Sequence, residues 1–376
     1  MPGLFEDGPP VDAVLLSHAH GDHTGLLKWV RPEIPVYLSQ GTSKMLMASS
    51  IFAGQPKLER NRKRIIERSI PVRIGDITVT GLPVDHSAFD SMAFLLEADG
   101  KRLLYSGDLR LHGRKPGMTR ELLKAATAKP IDVLLMEGTN LREAPAAEKR
   151  SNLSEVGLQK LLFRDIKTSP GLVLANFSPQ HVDRMVSFYK ATRQSGRVFV
   201  VDVYGAFVLH LVSGQCKIPQ PTNRNRIQVY YNQSFQRTWQ ERNLKKVYDR
   251  FLANGIELPS ILTDPGRYVM LFRPSMMEKD FGGTLPEQTL CLYSYWAGYL
   301  VKPEYGALVT ALNKAGGPFV QRHTSGHIFA EDLEGFVKAI NPRQVVPVHT
   351  AEPERFRALF HNARLLADGE RFCLGG

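Results

Sequence analysis

The sequence predicts an α/β protein with two β/α regions, and three observations support this prediction. Short apolar runs alternate with helical stretches along most of the chain, which is typical of α/β folds. A polar segment from Arg142 to Asn152 interrupts the alternation and is typical of a linker. Beyond it the alternation becomes regular, which favours a second, mostly parallel sheet.

The first part of the chain contains apolar runs that end at turns or polar residues. The predicted strands are Val11 to Leu16, Pro35 to Ser39, Ile77 to Val84, Met92 to Ala98, Arg102 to Tyr105 and Ile131 to Met136. Asp99-Gly100 is a hairpin signal between two of them. We interpret the basic run from Lys57 to Arg73 as a solvated helix face, because Glu59 and Glu67 interrupt it.

The second part repeats a helix and strand alternation. Its predicted helices are Glu155 to Ile166 and His181 to Gln194, and its strands are Gly171 to Ala175, Arg197 to Val201, Tyr268 to Phe272 and Thr289 to Tyr293. From about His323 the chain returns to strand and helix, and another strand ends at His349.

Composition limits the class of protein and of metal site. No apolar run approaches the ~20 residues that span a bilayer, and the first residues lack a signal peptide's basic and apolar parts. We therefore expect a cytoplasmic protein that does not bind membranes. Three scattered cysteines argue against a disulfide framework or a thiolate zinc site, so His and carboxylate would hold any metal. The net charge of +11 favours a polyanionic partner.

The strongest chemical signal is a histidine-rich loop directly after the first apolar strand. Side chains two apart on an extended segment point the same way, so His18 and His20 can bind one ion together. A turn at Gly21 would direct Asp22 and His23 towards a neighbouring ion. Imidazole and carboxylate suit zinc.

Three further ligand candidates lie at the ends of predicted strands. These are His86, Asp108 and His349. A lone histidine or aspartate in such a place is usually structural, but here each adds to the loop at His18. Seven ligands are enough for two ions with one bridging carboxylate.

These motifs resemble those of the metallo-β-lactamase superfamily, in its β-CASP branch of nucleic-acid-processing nucleases, which includes ribonuclease J. The first motif is common to the superfamily. The segments Leu135-Met136-Glu137-Gly138-Thr139-Asn140, His323-Thr324-Ser325-Gly326-His327 and Val348-His349-Thr350 are similar to motifs of this branch. The likeness covers nearly the whole chain.

The resemblance implies an αββα sandwich with an inserted β/α domain. The expected parts are residues 1–150, the first part of the metallo-β-lactamase domain; 151–320, the inserted β-CASP domain; and 321–376, the return segment. Members of the family carry several strands before the first metal motif, whereas about ten residues precede Val11 here. We therefore expect N-terminal strands of one sheet to be missing.

The resemblance also implies a cofactor of two Zn²⁺ ions, with Mn²⁺ as another divalent option. One ion would be held by His18, His20 and His86, and the other by Asp22, His23 and His349, with Asp108 bridging. The implied catalytic residues are Asp22, Glu137 and His327, the last two serving proton transfer or orientation.

Several residues are candidates for binding substrate phosphates. Arg110, Arg114 and Lys115 closely follow the bridging Asp108, and a basic surface loop is the alternative interpretation. Ser178 lies at a strand-to-helix turn whose N–H groups suit a phosphate, and Ser325 with Gly326 could act likewise beside His327.

The leading hypothesis is a zinc-dependent ribonuclease, exo- or endonucleolytic. A hydrolase of small esters, thioesters or lactones uses the same first motif, but needs neither the inserted domain nor the +11 charge. DNA is an alternative substrate, and an RNA-binding subunit with a weak site is the non-enzyme alternative. The oligomeric state stays open, a homo-oligomer included.

Overall fold

The computed structural model of the chain describes residues 1–143 and 152–374. The chain divides into two units, Met1–Asn152 with Ser325–Gly376, and Leu153–Thr324. The predicted linker from Arg142 to Asn152 lies mostly outside the described residues. Among the residues described, no helix combines the length and the apolar character needed to cross a membrane.

The first unit opens with short strands and three helices. The strands are β1 (Val14–Leu16), β2 (Val36–Leu38), β3 (Lys63–Ile65), β4 (Pro71–Ile74), β5 (Ile77–Pro83), β6 (Met92–Ala98), β7 (Lys101–Tyr105) and β8 (Val133–Glu137). The helices are α1 (Gly21–Thr24), α2 (Gln40–Phe52) and α3 (Pro116–Thr127). Helix α2 begins where the Ser39 hydroxyl accepts the Thr42 N–H at 2.9 Å, which satisfies one of its first free amides.

The second unit alternates strands and helices. Its helices are α4 (Glu155–Thr168), α5 (Val182–Gln194), α6 (Val203–Val212), α7 (Gln233–Glu241), α8 (Lys245–Phe251), α9 (Leu258–Thr263), α10 (Ser275–Lys279) and α11 (Pro303–Lys314). Its strands are β9 (Val173–Asn176), β10 (Val198–Asp202), β11 (Ile227–Tyr230), β12 (Gly255–Ile256), β13 (Tyr268–Leu271), β14 (Leu290–Tyr293) and β15 (Phe319–Gln321). The chain then returns to the first unit through α12 (Ala330–Ile340), β16 (Gln344–Val348) and α13 (Glu354–Leu359).

The strands of the second unit form one parallel sheet in the order β12-β11-β10-β13-β9-β14-β15. Every residue of β9, β10, β13 and β14 is buried. Parallel strands covered on both faces are apolar throughout, which explains the continuous apolar runs in the sequence. The predicted second, mostly parallel sheet is confirmed.

The first unit contains two sheets. Strands β1, β2 and β3 pair in parallel, and a mixed sheet has the order β16-β8-β7-β6-β5-β4. The alternate side chains of β6 show how the two sheets and the helices pack. Met92 and Phe94 join a cluster that Leu15 of β1 contacts, whereas Ala93 and Leu95 join one that includes Phe336 of α12. One face of the mixed sheet therefore meets the other sheet and the opposite face meets helices, in agreement with the predicted fold class.

The interpretation of the basic run as a helix face is wrong. Its first part is a short 3₁₀ turn at Arg60–Arg62, and the chain continues into β3 and β4. The backbone of β3 pairs with β2, and the buried Arg62 side chain donates to the Ile34 carbonyl at 3.2 Å. These long-range bonds outweigh the local charge pattern, and charged side chains such as Lys63 suit an edge strand.

A buried ion pair connects helices α4 and α5 of the second unit with the segment that follows β14. Arg184 of α5 and Glu155 of α4 are both fully buried, and Arg184 Nε lies 3.0 Å from Glu155 Oε1. The guanidinium also donates to the Ser294 carbonyl at 2.9 Å, and the Ser187 hydroxyl donates to Glu155 at 2.7 Å. Removal of one charge would leave the other buried without its partner.

We expect Arg184→Ala to lower the free energy of unfolding by about 3–5 kcal/mol, the usual cost of stranding a buried charge. Urea unfolding followed by circular dichroism would measure this change. Lys245→Ala, which breaks an exposed pair with Asp249 in the same unit, should change stability by at most about 1 kcal/mol. Equal effects of the two variants would contradict the importance of the buried pair.

Candidate metal centre

The first ligand segment begins where β1 ends. His18 is fully buried, and its Nδ1 lies 3.1 Å from the Ser17 hydroxyl, so Nε2 is the nitrogen that remains for a metal ion. After His20 the chain forms α1, a single turn that carries Asp22 and His23.

The other predicted site residues lie near the carboxyl ends of strands in the mixed sheet. Asp108 follows β7 through Gly107, Glu137 ends β8, and His349 follows β16. These three strands are parallel neighbours, so their carboxyl ends lie at one edge. His86 follows β5, which runs in the direction of β7 because both are antiparallel to β6.

Two backbone conformations at this edge are unusual. Gly107 has a φ of +56°, and a Cβ there would lie 2.7 Å from the Met92 carbonyl oxygen, so glycine is required before Asp108. His349 has a φ of +50°, which few residues other than glycine adopt. Such strain concentrates at functional positions, where surrounding contacts hold it.

Asp108 lies at the centre of the ligand cluster. Its Oδ2 is 3.1 Å from His23 Nε2, 3.4 Å from His18 Nε2 and 3.8 Å from His86 Nε2. The ligand atoms of the predicted metal residues form two sets, each with members within 4.8 Å of one another: His18, His20, His86 with Asp108, and Asp22, His23 with His349. A third group of the same kind, Asp108, His327 and His349, shares a residue with each of them.

Four atoms of this cluster are buried without a hydrogen-bond partner among the described residues. They are Nε2 of His18, Nε2 of His23 and both carboxylate oxygens of Asp108. Burying unpaired polar atoms costs free energy unless another group compensates it. A cation bound here would compensate it, and imidazole with carboxylate is a suitable donor set for zinc. The residues therefore fit a divalent metal ion.

The protonation states differ between the two sets. Burial lowers the pKa of His18 and His86 well below the ordinary histidine value, and lowers the pKa of His20 to about 4. These rings are neutral at pH 7, the form that binds metals. In the other set, the 3.1 Å bond to Asp22 raises the pKa of His349 to about 9. His349 would therefore have to lose a proton before it could hold a metal at pH 7.

Glu137 and His327, the two predicted residues outside the metal sets, are hydrogen-bonded to each other. His327 Nδ1 lies 3.2 Å from each oxygen of the buried Glu137 carboxylate. Glu137 also accepts the backbone N–H of Leu109 at 3.1 Å, next to Asp108. Burial alone would lower the pKa of His327, but the Glu137 carboxylate raises it above the ordinary value. His327 Nδ1 is also 3.9 Å from Asp108 Oδ2, so the pair borders the ligand cluster.

Thr139 and Asn140, which are not among the predicted site residues, hold two of the histidines. The Thr139 hydroxyl lies 2.8 Å from His349 Nδ1 and 3.1 Å from His327 Nδ1. Asn140 donates to the His327 carbonyl at 3.1 Å and to the Ser325 hydroxyl at 3.0 Å. Their position two and three residues after Glu137 is the sequence signal that could have identified them as site residues.

The structure corrects the prediction for Arg110. Its side chain is fully buried and its Nε lies 2.9 Å from Asp85 Oδ1, so it shapes the loop and is not exposed to a phosphate. Asp85 also accepts the Lys115 backbone N–H at 2.8 Å. Arg114 and Lys115 are partly exposed. This pairing could not be predicted from local sequence, because Asp85 lies 25 residues before Arg110.

The polar residues beside His327 contact the ligand cluster. The Gly326 carbonyl accepts a bond from His86 Nδ1 at 2.6 Å, which leaves His86 Nε2 for a metal. A Cβ on Gly326 would lie 2.5 Å from the Ser87 hydroxyl. The Ser325 hydroxyl accepts the His327 N–H at 3.1 Å. Ser178 belongs to the second unit, where its hydroxyl accepts the Gln180 N–H at 3.4 Å. Phosphate binding by Ser178, Ser325 and Gly326 stays a prediction.

Comparison with known families gives two matches. Residues 1–169 match the Beta-lactamase superfamily domain. Residues 320–364 match the Zn-dependent metallo-hydrolase RNA specificity domain. The second match includes His327 and His349.

The chain is similar to several ribonuclease J proteins. It is 26% identical to that of Mycobacterium tuberculosis over 95% of this chain and 61% of the relative. It is 23% identical to that of Pyrococcus abyssi over 99% of this chain and 82% of the relative. The Helicobacter pylori protein is 24% identical over 38% of this chain, a match that spans 22% of the relative.

One solved structure, a protein of unknown function from Enterococcus faecalis V583, superposes with a TM-score of 0.76 at 26% identity. The superposition covers 97% of this chain and 81% of the other. With these matches on an α/β fold carrying a histidine and aspartate cluster, the chain is similar to the metallo-β-lactamase superfamily. Within it, the likeness to ribonuclease J and the RNA specificity match support the β-CASP branch.

We expect a divalent metal to stabilise the protein, because a ligand that binds only the native state at about 100 times its Kd adds about 2.7 kcal/mol. For a unit of this size the melting temperature should rise by roughly 5–10 °C. Differential scanning fluorimetry measures this rise when chelator-treated protein is compared with the same protein after addition of Zn²⁺ or Mn²⁺.

His18→Ala should remove most of this rise, because it deletes a buried ligand. His361→Ala changes an exposed histidine of the same unit outside the cluster and should leave the rise unchanged. No metal-dependent shift in the unaltered protein would contradict the metal assignment.

Proposed function

We propose that the chain is a metal-dependent nuclease that hydrolyses phosphodiester bonds of RNA in the cytoplasm, with two Zn²⁺ ions as cofactor. The observation that carries the proposal is the buried Asp108 carboxylate, which has no hydrogen-bond partner among the described residues and lies beside both ligand sets. The likeness to ribonuclease J supports RNA as substrate. The net charge of +11 supports a polyanionic one.

In this proposal each of the two ligand sets would hold one ion. His18, His20 and His86 would hold the first and Asp22, His23 and His349 the second, with the Asp108 carboxylate available to both. When bound, a pair of divalent ions lowers the pKa of a water nucleophile and neutralises charge on the phosphate oxygens. Thr139 and the Gly326 carbonyl engage Nδ1 of His349 and His86, which leaves Nε2 of each ring as the nitrogen that would hold a metal.

In this proposal Glu137 and His327 serve the transfer of a proton to the leaving oxygen. Glu137 occupies His327 Nδ1, which leaves Nε2 as the nitrogen that can reach the substrate. The Glu137 carboxylate raises the pKa of His327 and so favours the protonated ring. His327 Nε2 would donate its proton to the leaving oxygen, or hold the scissile phosphate through a hydrogen bond.

The first test uses RNA labelled at one end or the other, with a 5′-monophosphate or a 5′-triphosphate. We expect metal-dependent cleavage; released mononucleotides would indicate an exonuclease, and discrete fragments an endonuclease. Asp108→Asn should lower the rate by more than about 100-fold, because even residues that only orient metal ligands cost about 10–100-fold.

Matched substrates decide between the alternatives. Single-stranded DNA of the same sequence tests a DNA-directed enzyme, and a thioester and a lactone test a small-substrate hydrolase. His361→Ala is the control variant for a histidine outside the cluster. Turnover of the small esters without action on RNA would refute the nuclease proposal. Metal-loaded protein that binds RNA without cleaving it would favour a non-enzyme subunit.

The second test concerns Glu137 and His327. General acid–base help is worth about 10²–10⁴-fold in rate, so His327→Ala and Glu137→Gln should each lose activity on that order. Because the two side chains act as one hydrogen-bonded unit, the double variant should be little worse than either single variant. Single-turnover cleavage rates measure the effects.

Metal content and RNA affinity distinguish this role from a structural one. Both should stay close to those of the unaltered protein in all three variants, since neither residue belongs to the two proposed metal sets. Cleavage within about twofold of the parent in both single variants would exclude the proposed proton transfer.

A further inference from the structure

The second unit contains a cavity that the proposed chemistry does not use. Its volume is about 560 Å³, and three aromatic rings line it: Tyr231 directly after β11, Trp239 of α7 and Tyr248 of α8. Gln236 and Gln240 of α7 and Glu257 before α9 add polar groups to the lining. Aromatic walls with a few polar groups are typical of ligand sites.

The aromatic rings are held in place before any ligand arrives. Trp239 and Tyr248 stack with centroids 4.8 Å apart and planes inclined by 29°. Tyr231 lies 4.8 Å from Tyr248 at a steeper angle, and its hydroxyl donates to the Tyr248 carbonyl at 2.8 Å. The Leu244 N–H donates to the Trp239 carbonyl at 2.9 Å and closes the turn between the helices. Trp239 and Tyr248 are half-buried, so part of each ring faces the cavity.

The helices beside this cavity are basic. Between Gln233 and Phe251 five exposed cations stand against two acidic residues. The cations are Arg237, Arg242, Lys245, Lys246 and Arg250, and the acids are Glu241 and Asp249. A positive surface that follows the backbone, combined with aromatic rings on which bases stack, is how proteins bind single-stranded nucleic acid.

Glu257 adds a preference among bases. Its exposed carboxylate lines the cavity and, when ionised, only accepts hydrogen bonds. Adenine, cytosine and guanine each carry an exocyclic amino group that can donate to it. Uracil carries no amino group, and two carbonyl oxygens flank its one N–H.

We propose that this cavity binds a nucleobase of single-stranded RNA, which stacks on Trp239 and Tyr248 and donates an amino hydrogen to Glu257. This inference rests on the proposed function for its choice of RNA as ligand. It adds a binding site in the second unit and a preference against uracil. The basic helices contact the phosphates on either side of the bound base.

The test measures binding of the full, metal-loaded chain to fluorescent phosphorothioate oligonucleotides of A, C or U, each about 12 nucleotides long. The modified linkage slows cleavage during the measurement. We expect oligo(A) and oligo(C) to bind more tightly than oligo(U). Trp239→Ala should weaken oligo(A) binding roughly 5- to 150-fold, the range for loss of one stacked base, whereas Trp239→Phe should keep most of the affinity.

Two matched controls separate the site from general effects. Trp296→Ala removes a different tryptophan of the same unit, exposed and outside the cavity lining, and should leave affinity unchanged. Glu257→Gln replaces a pure acceptor by an amide that also donates, so it should reduce the discrimination against oligo(U). Glu241→Gln removes the same charge from α7 outside the cavity lining and should leave the discrimination intact.

The outcomes distinguish this inference from the proposed function. Normal cleavage of RNA together with unchanged binding by Trp239→Ala and Glu257→Gln would overturn the base site alone. Absence of RNA cleavage by metal-loaded protein would instead refute the nuclease. If Trp239→Ala unfolds, the folded Glu257→Gln variant decides, and an unaltered base preference in it overturns the inference.

Discussion

The arrangement of the first unit depends on one buried carboxylate. Asp108 Oδ2 lies within 4 Å of nitrogens on His18, His23 and His86, which come from two segments far apart in sequence. Neither oxygen forms a hydrogen bond to a described residue. An isolated carboxylate in such a place would be strongly unfavourable, because desolvation of a charge costs several kcal/mol. The fold tolerates it because the surrounding ligand atoms create a cation site.

The strands explain how distant residues reach this carboxylate. β7, β8 and β16 are parallel neighbours, so residues at their ends meet although Asp108 and His349 are far apart in sequence. Ligands at the ends of packed strands are held more rigidly than ligands on long loops. A hydrogen bond between Thr139 and His349 and another from His86 to the Gly326 carbonyl then select the ring nitrogen that each histidine offers. The sheet sets the positions, and these bonds set the orientations.

Much of this could be predicted from sequence, because the signals were local. The loop at His18 combines an apolar strand with closely spaced ligands, and the apolar runs of the second unit reflect burial on both faces. Long-range pairing was not predictable. The sequence indicates an exposed Arg110, because its buried ion pair with Asp85 joins distant segments. The basic run near Lys63 has the pattern of a helix face, but pairing with β2 makes part of it a strand. The cavity around Trp239 was missed for the same reason, since its rings come from separate elements.

The buried carboxylates of the two units have different partners, and this difference distinguishes a structural carboxylate from a functional one. In the second unit Glu155 is fully buried and accepts bonds from Arg184 and Ser187, so the fold itself satisfies it. In the first unit Glu137 is equally buried, yet its partners include His327, which borders the ligand cluster. Asp108 is satisfied least of the three. Buried charges in proteins are normally paired. Glu155 and Glu137 accept hydrogen bonds whereas Asp108 accepts none from a described residue, and this indicates that the edge of the sheet at Asp108 is a binding site for a cation. Glu137 lies between the two extremes, because backbone amides hold its carboxylate in place while His327 connects it to the metal ligands.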